Sequence, residues 1–265
     1  MLPIPIITCL ALAACMTCAN GDEAPWLKVA AAPVAWSDAT VIAHQQRLAF
    51  VLDSPAQTQL RGFLLKREMP VPDIAKQAAD LLEILPRPEE SVLTIDWLGN
   101  TGANEGFTRD IHPQSLGTRS VHRVENTTIT RTVLAGIADD VMLIHFIADQ
   151  PGALSFRVTL GGAAQNADVR IEDRRQLILG PKAGQLGAHV WVLPFESDVA
   201  SEGNTITVRG EGEALIVWNF AVGKPPEATL SNLGARYDAG QNPPNPAKIW
   251  QGALEALVKA RENSP

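Results

Sequence analysis

The sequence predicts an all-β protein: a large two-sheet antiparallel β-sandwich of the supersandwich type, with one or two short peripheral helices. Three observations predict it. Many short segments alternate apolar and polar residues, or run apolar for about the length of one strand. Turn-forming clusters separate them: Asn100-Thr101-Gly102, Glu125-Asn126, Pro151-Gly152, Gly161-Gly162, Glu202-Gly203-Asn204 and Gly210-Glu211-Gly212. Helical periodicity is confined to two segments, around residues 73–85 and 245–260.

In chain order, strands are expected over Arg47 to Leu52, Gln59 to Leu65, Ser91 to Leu98, Arg119 to Glu125, Thr127 to Ala135 and Asp140 to Ala148. The segment from Val141 to Ala148 is apolar on both faces except at His145, which marks a central strand. A tight turn, Asp149-Gln150-Pro151-Gly152, leads from it into Leu154 to Leu160. There Leu154, Phe156, Val158 and Leu160 alternate with Ser155, Arg157 and Thr159, so this strand is half exposed. Further strands follow at Asp168 to Glu172, Gln176 to Leu179, His189 to Pro194, Thr205 to Arg209 and Ala214 to Ala221.

The first helix spans Asp73 to Leu85. It places Ile74, Ala78, Leu81, Leu82 and Leu85 on one face, and Pro86 and Pro88 end it. The second starts at Asn245-Pro246, a capping residue followed by a proline suited to the first helical position. Its apolar stripe is Ile249, Ala253, Ala256, Leu257 and Ala260.

The first 19 residues read as a leader, either a signal peptide or a lipoprotein leader. An apolar run from Ile4 to Ala14 has the length of a signal core, and Leu12-Ala13-Ala14-Cys15 matches a lipobox in which Cys15 would carry lipid. Small residues at Thr17-Cys18-Ala19 offer the other outcome, soluble secretion. The chain is therefore expected to be exported, as a periplasmic or outer-membrane lipoprotein or as a secreted protein. Residues 25–227 form the sandwich, and 228–265 a linker with the C-terminal helix. Cys9, Cys15 and Cys18 all lie in the leader, so the folded part has no disulfide framework and no thiolate metal site.

A formal net charge of -7 with no basic block disfavours nucleic-acid binding. No apolar run reaches the roughly 18 residues of a membrane-spanning helix, so membrane contact is expected only through a lipid at Cys15.

Chemistry is sparse. No phosphate-binding glycine loop and no metalloprotease motif is present, and no cofactor is implied. His44, His112, His122, His145 and His189 are scattered; His122 and His145 could meet across adjacent strands as part of a metal site, but no third ligand has suitable spacing, so they read as unrelated strand histidines and no metal ligand is assigned. Asp96, Glu105 and Asp110 are the carboxylates to weigh as a glycosidase pair; charged residues beside turns are ordinarily just solvated. Trp97, Trp191 and Trp218 fall in strand patterns and read as core. Trp36 and Trp250 lie outside strands and are the candidates for exposed stacking on sugar rings. Asn126-Thr127-Thr128 fits a glycosylation sequon but sits where a hairpin turn wants Asn anyway.

The segment from Ser91 to Leu160 resembles the N-terminal β-domain of glycoside hydrolase family 95, the α-L-fucosidases. The matching features are an aromatic followed by Arg (Phe107 and Arg109), a hairpin ending in Thr130-Arg131, and a strand ending in "ADQPGALSF", Ala148 to Phe156. Their order and spacing hold over about 70 residues. The stretch from His189 to Ala221 continues the likeness more loosely, and Asn242 to Ala260 resembles the connector toward the family's next domain. The family's glycine-rich "GNGRLGA" element has its counterpart at residues 43–49, where those glycines are missing. Its catalytic residues lie in an (α/α) barrel that follows this region, and that barrel is not in this sequence, so none is carried over. The resemblance implies a non-catalytic accessory or docking module, with a glycan or a separate catalytic barrel protein as partner. Two other readings stand beside it: a subunit of a split or truncated glycosidase, and a structural lipoprotein without sugar affinity.

Overall fold

The structure, a computed structural model, describes residues 27–29, 39–44, 46–64, 90–98, 105–111, 116–124, 126–136, 141–162, 168–180, 186–196, 198–222 and 245–262. The predicted helix at 73–85, the leader with Cys15, His112 and Trp36 lie outside these residues. The strands are β1 (Leu27–Val29), β2 (Thr40–His44), β3 (Arg47–Asp53), β4 (Gln57–Leu64), β5 (Glu90–Trp97), β6 (Glu105–Ile111), β7 (Gly117–Val124) and β8 (Thr127–Gly136). Then come β9 (Val141–Ala148), β10 (Leu154–Gly162), β11 (Val169–Glu172), β12 (Gln176–Leu179), β13 (Leu186–Pro194), β14 (Ala200–Glu202), β15 (Thr205–Glu211) and β16 (Glu213–Val222). Among the described residues the helix is α1, Pro246–Glu262.

Two sheets form. One has nine strands in the order β1-β6-β7-β8-β9-β16-β13-β12-β11; the other has seven, β14-β15-β10-β5-β4-β3-β2. The pairings are antiparallel, as short turns between consecutive strands require. The main core lies between the sheets, where Leu60, Leu93 and Ile95 of one face Ile144, Phe146, Ile216 and Trp218 of the other. The fold is the predicted β-sandwich. Close approach of the sheets has one steric condition at Gly62 on β4. A Cβ there would sit 2.7 Å from a ring carbon of Trp218 and 2.8 Å from one of Phe220.

β9 is central, between β8 and β16, and β10 exposes Arg157 while burying Phe156 and Val158. The two strands do not pair with each other; the Pro-Gly turn carries the chain from one sheet to the other. The segment Gly210-Glu211-Gly212 makes the reverse crossing between β15 and β16. Gly152 and Gly210 both adopt positive φ, 75° and 69°, and the Ala148 amide donates to the Gly212 carbonyl at 2.9 Å. The two crossings therefore form one double corner.

Some elements differ from expectation. β1 and β14 have three residues each, too few to show alternation. β6 contains Gly106 and a register shift between Glu105 and Thr108, which breaks its period-two pattern. Gly161 and Gly162, expected as a turn, stay in β10 and pair with Val92 and Ser91. β13 starts at Leu186 rather than His189, and it is buried along its whole length.

A second apolar layer covers the outer face of the nine-stranded sheet. Val141, Leu143, Trp191, Leu193, Leu215 and Val217 are buried there with Ile249 and Ala253 of α1. The helix starts where the sequence predicts. Asn245 Oδ1 accepts the Ala247 amide at 2.9 Å, satisfying one of the free N–H groups of the first turn.

Candidate functional site

At one end of the sandwich the interior turns polar. Along β8, Ile129, Arg131, Val133 and Ala135 share the inner face, so a guanidinium enters the space between the sheets. Arg131 Nη2 lies 2.7 Å from Asp53 Oδ1 at the end of β3. Arg131 also donates to Thr58 Oγ1, to Ser120 Oγ at 3.2 Å and to the Ser54 carbonyl at 3.1 Å. Thr58 in turn donates to Asp53 Oδ1 at 2.9 Å. Burial pushes the Arg131 pKa down, and the Asp53 carboxylate offsets that by charge and hydrogen bonding. Its guanidinium carbon stands 5.7 Å from the Trp97 ring centroid. The cluster ties β8 of one sheet to β3 and β4 of the other.

His122 on β7 points into the same end. Its ring centroid is 5.9 Å from Trp97, which meets Phe146 at 5.4 Å and Phe156 at 5.7 Å, edge to face. His122 is fully buried, and neither of its ring nitrogens has a hydrogen-bond partner; Trp97 Nε1 has none either. Burial, with the Arg131 charge second, pushes the His122 pKa down to about 4. At neutral pH it is an uncharged imidazole. Arg109 lies along the same inner face, cross-strand from Ser120, which is itself opposite Arg131.

The residues singled out in the sequence are not brought together. β8 lies between the strands of His122 and His145, and the two rings point to opposite faces of the sheet. His145 faces outward, 2.7 Å from Glu213 Oε1 and 4.3 Å from the Trp250 ring centroid. One intervening strand and the pleat thus keep the two histidines apart, as unrelated strand residues. Burial also lowers the His145 pKa, with partial compensation from Glu213. His189 Nε2 is 2.7 Å from Gln176 Oε1. Among the described residues no three His, Cys, Asp or Glu side chains are arranged to hold a metal ion.

Asp96 lies on β5 of the seven-stranded sheet, 2.5 Å from Gln57 Nε2. Asp110 lies on β6 of the other sheet, buried, and pairs with Arg119 at 2.8 Å. Glu105 begins β6, opposite Arg123. Asp96 and Asp110 are therefore not an opposed pair, and Asp110 is not a solvated turn residue. Trp218 is core as expected. Trp191 is buried as well, but on the outer face beneath α1. Trp250 is half-buried with its ring on His145, not a free platform. Asn126 is exposed in the two-residue turn between Val124 and Thr127. Sequence reasoning missed the Arg131–Asp53 tie. Its signal was an arginine on the apolar parity of β8.

No protein-family profile matches the chain. No curated protein matches it. Among solved structures it is similar to a protein described as a kojibiose phosphorylase from the human microbiome, at 9% sequence identity and a TM-score of 0.31. That likeness covers 85% of this chain and 37% of the other, so the chain spans little more than a third of that protein's length. At that score the likeness carries no argument about fold or activity.

Proposed function

We propose that this chain is an exported, non-catalytic, carbohydrate-associated accessory or docking module, related to the β-domain that stands N-terminal to the barrel in family 95 α-L-fucosidases. The observation that carries this reading is the ordered set of features from Ser91 to Leu160, which falls on β5 through β10. Separation of Asp96 from Asp110 into different sheets supports the non-catalytic part, because glycoside hydrolysis ordinarily needs two carboxyl groups across one bond. A fold alone does not convey an activity. The test is incubation of the purified chain with a chromogenic α-L-fucoside, beside a glycan-array measurement. No turnover with saturable glycan binding is expected. Turnover abolished by Asp96→Asn or Asp110→Asn would overturn the reading, and absence of binding to every glycan would leave a structural role.

Attachment to a membrane through lipid at Cys15 belongs to the same proposal. Expressed in a bacterium with lipoprotein processing, the chain should take up labelled palmitate and partition into detergent, and Cys15→Ser should abolish both. Unchanged partitioning in that variant would show soluble secretion instead.

A further inference from the structure

We propose that His122 is an acid-sensitive latch, whose protonation releases the polar end of the sandwich locally. From β8 the ring meets Arg131, from β5 the uncharged Trp97, and β9 contributes Phe146 to the same aromatic cluster. Arg109 lies two positions beyond the bulge on the inner face of β6. Among the described side chains, the Asp53 carboxylate at this end is already engaged by Arg131 and Thr58. Asp96, Asp110, Arg119 and Arg123 sit on the opposite parity of their strands, facing away from the interior. A proton on His122 thus adds a cation beside Arg131, and neither ring nitrogen has a hydrogen-bond partner among the described residues. The neutral ring packs tolerably among aromatics; the charged ring does not, because a buried unpaired charge is very costly.

The backbone ladder is interrupted at the same place. Val121 pairs with Thr108 and Arg123 with Glu105, so Gly106 and Phe107 together oppose His122. This is a bulge, where the ladder is interrupted, and Gly106 adopts a φ of 75°. Charging His122 therefore pushes on an interrupted joint between β6 and β7, and water entering there would also reach the Arg131–Asp53 tie.

The sign is fixed by the lowered pKa. Above pH 6.5 both folded and unfolded chains hold a neutral imidazole. As the pH falls toward 4, only the unfolded or opened form takes the proton, so stability is lost across that window. Between pH 8 and pH 5 this group alone should raise the opened-to-closed ratio about 30-fold.

Three measurements on the full chain test it. In a histidine NMR titration, the His122 resonance, assigned through-bond in the native protein, should stay neutral through pH 5; titration near 6.5 would overturn the proposal without any need for a folded variant. In urea unfolding, the folding equilibrium constant of the native chain should fall about 30-fold further from pH 8 to pH 5 than that of His122→Phe. Equal losses would overturn it. Amide exchange, corrected for intrinsic rates, should show peptides over 105–136 losing protection at pH 5 before peptides over 186–222, and not in His122→Phe. A uniform loss would overturn the local character of the latch.

Discussion

Arg131 brings a full charge into an interior filled mostly by Leu, Ile, Val and Phe. The ion pair with Asp53 need not add net stability, because desolvating both groups offsets their attraction. What it does is fix which strands face one another, since an unpaired guanidinium between the sheets has nowhere to go. Breaking the pair from one side should therefore be severe. Asp53→Leu, which strands the Arg131 guanidinium, should cost about 3–5 kcal/mol in urea unfolding. Adding Arg131→Met to it should recover most of the loss, as apolar replacements of buried ion pairs often do. A single-variant loss below about 1 kcal/mol, or no recovery in the double variant, would show that water already reaches this end.

At the scale of elements, the sequence shows most where burial is simplest. β9 is apolar on both faces, so its central place follows from composition alone. β10 alternates cleanly, so its inner and outer faces are legible as well. β6 was hidden because a bulge shifts its phase and because Arg109 and Asp110 are buried by pairing that no local pattern reveals. The separation of the two histidines was hidden for a related reason. Spacing along the chain places His122 and His145 on neighbouring strands, but it does not tell which face each ring takes or that β8 intervenes. The polar cluster was half legible: Ile129, Arg131 and Val133 announce a charge on an apolar face, whereas Asp53 and Thr58 come from distant strands that only the fold brings near. The turn between β11 and β12 shows the limit of residue preference from the other side. Asp173 and Arg174 adopt φ of 47° and 58° although neither is glycine, held in part by the Gln176 side chain on Asp173.

At the scale of the whole molecule the question is whether the sandwich ends with its sheets or includes α1. The sequence sets a boundary at residue 227, with the helix beyond it in a linker segment. The packing joins them: Ile249 and Ala253 are buried on the outer face of the nine-stranded sheet, and Trp250 lies over His145. A buried isoleucine contributes roughly 1.5–3 kcal/mol, and a half-buried tryptophan adds to it. A chain ending at Pro244, which keeps the linker and removes only α1, should therefore unfold at lower urea, by at least about 3 kcal/mol. It should also self-associate, because Val141, Leu143, Leu215 and Val217 would form an exposed apolar strip on a flat sheet. Sedimentation and dye binding would report the association, and the urea midpoint the energy. If the shortened chain stays monomeric with an unchanged midpoint, α1 is an appendage to a sandwich that is complete without it. If it associates and weakens as expected, the exposed ridge of Leu254 and Val258 belongs to a structural helix, and the cooperative unit of this protein includes α1, through residue 262.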